Sequence, residues 1–314
     1  MLTSPVLDLQ KQAGATVSQA FGWSLSSSYS SLAQEYEATR QGVGLVDRSH
    51  IGRLRLTGED ALDLLNRLST NDLELITSVG QGVCTVLTSN KGRILDLLFV
   101  HRLEDELLVL TSPQNRQKVA DWIDFYTIVE DVAIRDVTED TAMLAVVGPR
   151  APSLLSEITG HDISSLSRYD SLVAKVSDIE MSVIRTDFAS LLGYDMIVPA
   201  SRAEPLWQHL LDKGAEVGIV PVGMEALEAV RIEEGVPLYG SELSEEVNPL
   251  EANLLEWISF NKGCYIGQEV VARLDTYKKV QRHLVGLSWD VDEDPPPNAG
   301  LFLQGKRVGD ITST

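Results

Sequence analysis

The sequence predicts an α+β protein built around two αβ units, and three observations carry that prediction. Strand-like and helix-like patterns alternate from about residue 36 onward. A strand that turns through glycine into a helix occurs twice: Asp47-Arg48-Ser49 followed by Leu54 to Gly58, and Asp136-Val137-Thr138 followed by Leu144 to Gly148. The chain has 314 residues, 44% hydrophobic and 23% charged, which is globular composition at a length suited to two or three domains.

The elements follow in order. Residues 1–35 read as an N-terminal arm, with the Ser-rich run Ser24–Ser31 as a loop. Arg53-Leu54-Arg55-Leu56 alternates with period two, a half-buried strand. Thr57-Gly58-Glu59-Asp60 turns into a helix from Ala61 to Leu68, with Leu62, Leu65 and Leu68 on one face. Val83–Leu87 and Ile94–His101 read as paired strands around the turn Ser89-Asn90-Lys91-Gly92. Ser112-Pro113 opens a helix to about Phe125, because proline suits a first turn. Met181–Arg185 and Tyr194–Val198 form a second strand pair. Ser201-Arg202-Ala203-Glu204 has the form of a capping box opening a helix to about Leu211. A further helix, Gly223–Glu234, ends at Gly235 as a left-handed cap. Asp290–Gly300, with three prolines, reads as a linker, and Leu301–Thr314 as the start of a C-terminal β domain.

Charge and cysteine content narrow the function classes. With 26 Lys and Arg against 46 Asp and Glu, the net charge is −20. That surface repels phosphate backbones and anionic bilayers, so neither nucleic acid nor membrane is an expected partner. Two cysteines cannot make a disulfide framework or hold a four-thiolate cluster. No basic, then apolar, leader opens the chain, so the expected location is cytoplasmic or an equivalent reducing space.

Three constellations could carry chemistry. In Lys262-Gly263-Cys264-Tyr265-Ile266-Gly267-Gln268-Glu269 a cysteine sits between glycines, and Lys262 could favour its thiolate. A buried Cys acting as a small hydrophobe is the plainer alternative, and it suits Cys84 in the apolar run Val83–Leu87 better than Cys264. Arg231, in the last turn of a helix before the loop Gly235–Gly240, has a planar fork suited to a carboxylate; neutralising its own helix end is the equal alternative. Asp96, among Ile94, Leu95, Leu97 and Leu98, would be a proton shuttle if burial raises its pKa, or a plain outward-facing carboxylate.

Other features mislead. Gly300–Arg307 approximates a phosphate-binding loop but lacks the Ser or Thr, and Gln304-Gly305 is more simply a hairpin turn. Gly42-Val43-Gly44 has no strand before it. His50, His101, His161, His209 and His283 show no metal-ligand spacing. Trp207 and Trp257 fit helical cores.

The run from Gly218-Ile219-Val220-Pro221-Val222-Gly223 through Val230-Arg231-Ile232-Glu233 and Pro237-Leu238-Tyr239-Gly240 to Lys262–Glu269 resembles the YgfZ family. So do Gly44–Ser49, Leu56–Ala61 and Thr70-Asn71-Asp72. These are folate-binding proteins of iron–sulfur cluster maintenance that share a fold with the aminomethyltransferase (T-protein) of glycine cleavage. The resemblance implies a three-lobed aminomethyltransferase-like (GcvT) fold around a channel for tetrahydrofolate. The expected lobes are 36–52 plus 138–222, 53–137 plus 223–282, and an incomplete C-terminal β domain at 283–314. It implies folate contacts from Arg231, Tyr239 and Tyr265, and chemistry from Cys264, Lys262 and Asp96. Gly263, Gly267, Gln268 and Glu269 complete the motif. It implies an accessory role toward iron–sulfur client or assembly proteins, possession of a transferase-like activity being the open point. The alternatives are a glycine-cleavage aminomethyltransferase and a non-catalytic scaffold.

Two departures stand out. Asp96 matches the first member of a T-protein acidic pair whose second position is Leu97. Leu191 stands where the T-protein stretch T-G-E-D-G-Y has its Glu, the acid that would meet a pterin's donor edge. Each unpaired donor costs about 1–3 kcal/mol, so folate is expected to bind differently or more weakly than in a T-protein.

Overall fold

The structure is a computed structural model describing residues 1–289, 295–296 and 298–314. The linker expected over 290–300 lies partly outside the described residues.

The first segment folds into β1 (Leu2–Thr3), α1 (Leu7–Gln12), β2 (Thr16–Ala20) and β3 (Trp23–Ser28), followed by α2 (Leu32–Gln41). The strands form a three-stranded sheet with β3 in its centre. The Ser-rich run is therefore a strand over Ser24–Ser28, not the expected loop. Its serines can be buried because their hydroxyls find partners: Ser26 Oγ donates to Gln10 Oε1 at 2.8 Å, and Ser27 Oγ to the Thr16 carbonyl. Trp23 and Leu25 alternate with them as buried apolar residues, and Val6 packs into the main core.

The chain continues through β4 (Gly44–Asp47), β5 (Gly52–Thr57), α3 (Ala61–Leu68), β6 (Gly82–Thr88), β7 (Ile94–Arg102), β8 (Leu107–Thr111), α4 (Arg116–Tyr126) and β9 (Ala133–Asp136). It repeats that pattern with β10 (Thr141–Val147), α5 (Ala151–Thr159), β11 (Ser171–Val176), β12 (Ile179–Arg185), β13 (Gly193–Pro199), α6 (Ala203–Gly214) and β14 (Val220–Pro221). Next come α7 (Met224–Glu233) and α8 (Gln268–Thr276), and the hairpin β15 (Gly300–Leu303) and β16 (Lys306–Asp310) turns at Gln304-Gly305. The expected capping box at Ser201 is not formed. Residues 200–202 make a 3₁₀ turn, and Arg202 precedes α6 without a side-chain cap.

The internal echo is a real duplication with exchanged strands. One sheet has the order β6-β7-β8-β5-β9, the other β11-β12-β13-β10-β4-β14. The strand that precedes β5 in sequence, β4, pairs with β10; the strand that precedes β10, β9, pairs with β5. The registers correspond: Leu144 opposes Asp47, and Leu54 opposes Asp136. Ser49 N–H bonds Asp47 Oδ1 at 3.0 Å, and Thr138 N–H bonds Asp136 Oδ1 at 2.9 Å. Ser49 Oγ then accepts from Met143 N, and Thr138 Oγ1 from Arg53 N. Both strand-to-helix turns need glycine. Gly58 (φ +109°) and Gly148 (φ +115°) occupy backbone that favours it, and an added Cβ would meet a carbonyl oxygen at 1.9 and 2.7 Å.

Each sheet has a helix face and an inner face. Leu54, Leu56, Leu98, Val100 and Val109 pack under α3 and α4; Leu144, Val146, Val183, Met196 and Val198 pack under α5 and α6. Each fully buried side chain of this kind contributes about 1.5–3 kcal/mol. The inner faces meet through Leu108 and Leu110 on β8 and Met143, Ile184 and Ile197 on the other sheet. Farther along this seam, α7 covers Val46, Ala145 and Val147, and residues 239–257 cover Val86 and Ile94.

Candidate functional site

Residues on β13 alternate between the two faces, so Asp195 lies on the inner face between Ile197, which meets the other sheet, and Gly193, beside the region covered by α7. Asp195 is fully buried, and burial raises its carboxyl pKa. Both its oxygens accept from Arg48 Nη1, at 2.8 and 2.7 Å. Arg48 follows β4 and stacks over the Phe188 ring, its guanidinium carbon 5.5 Å from the centroid. Phe188 also touches Leu191, which is buried with Val230 in an apolar cluster. Leu191 is thus an apolar wall here, as its residue type leads one to expect, and the carboxylate on this side of the seam is Asp195. Sequence reading missed Arg48 and Asp195. The signal available was a charged residue at an inner-face position of the otherwise uncharged β13, and an arginine directly after β4.

The opposite wall is β7. Asp96 opposes Leu87 and shares the helix face with Leu98 and Val100. Its oxygens accept from Ser112 N (2.9 Å) and Ser112 Oγ (2.6 Å), so it fixes the chain where it enters α4. Burial pushes its pKa up to about 6. The structure therefore places Asp96 behind the sheet, and Leu97 occupies the seam face beside Phe99. Leu97 and Phe99 stay partly exposed, whereas Asp96, Leu98 and Val100 are buried.

Arg231 lies on α7 at the seam's edge, but its five N–H groups are all engaged. Nε and Nη2 donate to Glu228, Nη1 to Glu242 (2.9 Å) and the Val236 carbonyl (3.3 Å), and Nη2 to Ser313 Oγ (2.7 Å). As placed here it closes an internal network and offers a ligand no free edge. Tyr239 accepts from Lys118 Nζ at 2.8 Å, and that ammonium lies 4.6 Å from its ring centroid.

The octapeptide 262–269 lies against α3 and the β6–β7 turn. Lys262 Nζ shares its three hydrogens among Asn66 O and Oδ1 (2.6 Å each), Asn71 O (2.6 Å) and Ser69 O (3.0 Å). Burial lowers its pKa to about 8, so it remains an ammonium at neutral pH and closes the C-terminus of α3. This is a bracing role, not the thiolate-favouring one expected. Ile266 N donates to Arg67 O, Thr88 Oγ1 donates to Ile266 O, and Gly267 (φ +85°) lies so close to Ser89 O that a Cβ would meet it at 2.4 Å. Tyr265 is buried, and Gln268 and Glu269 begin α8. Gly263 and Cys264 are exposed, as is Glu269 at the other end of the segment, and Cys264 is a free thiol.

Cys84, the other thiol, is on the inner face opposite Phe99, fully buried, its pKa raised by desolvation. The Tyr169 ring lies 5.6 Å from Phe99, and Tyr169 Oη and Trp257 Nε1 are buried without hydrogen-bond partners among the described residues. His50 is buried, stacks on Phe21 and is held neutral, its pKa lowered to about 3. Among the described residues no three His, Cys, Asp or Glu side chains converge as a metal site.

Residues 6–262 match the family profile described as the GCVT N-terminal domain. An aminomethyltransferase of Bacillus licheniformis is 32% identical, the match covering 99% of this chain and 85% of that protein. An aminomethyltransferase of Streptomyces avermitilis is 33% identical over 97% of this chain and 83% of its own length. The crystal structure of glycine cleavage system aminomethyltransferase T from Bartonella henselae superposes with a TM-score of 0.89 at 24% identity, covering 99% of this chain and 85% of that one. The expected aminomethyltransferase-like fold is the fold observed. The names of these relatives point to aminomethyl transfer and carry no iron–sulfur role.

Proposed function

The chain belongs to the family of the GCVT N-terminal domain, and from that membership we propose that it is a tetrahydrofolate-dependent transferase of the aminomethyltransferase type. The observation that carries this reading is the pair on the seam between the sheets, the buried Asp195 carboxylate bonded to Arg48, whose guanidinium stacks over the Phe188 ring. A pterin is flat and has an edge of N–H donors. A carboxylate suits that edge and an aromatic ring suits its face, so the residue types present suit the group, with Arg48 the exposed member of the pair and Asp195 covered behind it. Names of relatives above 30% identity across nearly the whole chain support the same reading.

When bound, the folate would supply the nitrogen that receives the one-carbon unit. Asp195 would orient the ring, and Arg48 would hold Asp195 ionised. Leu97, Phe99 and Leu110 would keep water from the reacting face. Asp96 acts through the fold by fixing the start of α4. The protein would work in the cytoplasm or a similarly reducing space, consistent with two unpaired cysteines. The test is to supply tetrahydrofolate and a carrier protein bearing an aminomethylated lipoyl arm. Folate-dependent ammonia release is expected; a protein that binds folate yet releases none would end the transferase reading.

One observation favours a second reading, an accessory role in iron–sulfur protein assembly or repair. Cys264 is displayed on a segment pinned on both sides, while the seam side of β7 carries Leu97 in place of a carboxylate. Cys264→Ala in cells lacking the native protein tests it: lost activity of cluster-dependent enzymes is expected, and full rescue excludes the thiol.

A further inference from the structure

The two seam arginines are in opposite states. Arg231 has spent every N–H on Glu228, Glu242, Val236 and Ser313. Arg48 uses only Nη1, on Asp195; among the described residues its Nε and Nη2 bond nothing. The side chain is only 15% exposed, yet neither Nε nor Nη2 is a buried, unpartnered atom, so this edge is the part of Arg48 that opens to solvent. Its position is doubly fixed, by the wholly buried Asp195 carboxylate and by the Phe188 ring. A guanidinium bound on one nitrogen and open along its Nε–Nη2 edge is a planar two-donor fork, which matches oxygen acceptors and rejects N–H donors.

We propose that Arg48, not Arg231, is the residue that takes the acceptor oxygens of the ligand in the seam, so that Arg48 and Asp195 together read one acceptor and one donor edge. The inference rests on the folate reading and adds to it a specificity-determining residue. A reduced folate carries acceptor oxygens on its ring carbonyl and along its benzoylglutamate tail, in the amide carbonyl and the glutamate carboxylates. Either source satisfies the fork, and the experiment separates them.

The experiment uses Arg48→Lys, which keeps a cation for Asp195 and removes the fork. Calorimetric titration of the wild-type and variant chains with tetrahydrofolate and with 6-methyltetrahydropterin, which has the ring but no benzoylglutamate, gives four affinities. Thermal unfolding of the unliganded variant near the wild-type temperature certifies the fold. Loss of affinity of about tenfold or more for both ligands assigns the fork to the ring carbonyl; the same loss for tetrahydrofolate alone assigns it to the benzoylglutamate tail. Either result supports the proposal. A folded variant that binds both ligands within about twofold of wild type overturns it while leaving the folate reading intact. A wild-type chain that binds neither ligand sinks the folate reading, and this inference with it.

Discussion

The two sheets share one plan and exchange a strand, yet their inner faces differ in kind. The face of the β10–β13 sheet carries an ion pair, Arg48 with Asp195, inside an apolar surround. The face of the β5–β8 sheet presents Leu97, Phe99, Leu108 and Leu110, and its buried carboxylate, Asp96, points the other way into the helices. The duplicated frame thus makes a symmetric seam, and the ion pair stacked on Phe188 comes from one half alone. At the axis the asymmetry is already present: Arg53 and Met143 hold equivalent places, one a guanidinium serving backbone oxygens, the other a thioether packed between the sheets.

That pair of places offers the largest expected effect. Arg53 donates to the carbonyls of Ser49, Ile51, Thr138 and Thr141 and to Thr141 Oγ1. Arg53→Met, which copies its twin, would strand these buried acceptors and is expected to cost about 4 kcal/mol in urea unfolding. A loss under about 1 kcal/mol would show that the two places are interchangeable and the comparison empty. The glycine turns sharpen it next. Gly58→Ala would press a methyl to 1.9 Å from Asp131 O and should cost about 3 kcal/mol, Gly148→Ala, at 2.7 Å, rather less. Equal losses would contradict the tighter packing ascribed to the first turn.

A pH profile probes the buried carboxylate. The folded pKa of Asp96, raised to about 6, lies above its unfolded value. Its contribution to stability is therefore fully present below about pH 4 and is lost as pH rises through about 6. Asp96→Asn should flatten the curve over that window by about 3 kcal/mol. An unchanged slope would mean that the carboxyl is not held in a dry site. The smallest effect is expected at Lys262→Met. Removing the ammonium from Asn66, Ser69 and Asn71 should cost about 1–2 kcal/mol and speed thiol modification of Cys264 as the segment loosens.

Periodicity and turn chemistry made most elements legible. The α3 helix, the β6–β7 hairpin, the β12–β13 pair and the cap at Gly235 depend on neighbours in sequence, and so did the echo that foreshadowed the duplication. The strand exchange was not legible, because nothing local tells β4 to pair with β10. Ser24–Ser28 failed for a related reason: its hydroxyls are satisfied by Gln10 and Thr16, brought there by folding. At the site, alternation alone could not say which of Asp96 and Leu97 faces the seam; the register with Leu87 and Val86 decides it. Arg231 had the right residue type in a suitable loop, but Glu228, Glu242 and Ser313 occupy it. Arg48 carried no motif of its own, and its open edge appears only once Asp195 is seen to bind one nitrogen.

The central claim is that the seam beside Arg48, Asp195 and Phe188 receives a reduced folate. A crystal structure of the chain grown with tetrahydrofolate tests it most directly. The account predicts the pterin against Phe188, with its donor edge on Asp195. A folate seated instead at the exposed Cys264 segment, or on the far side of the β6–β8 sheet near Asp96, would contradict it.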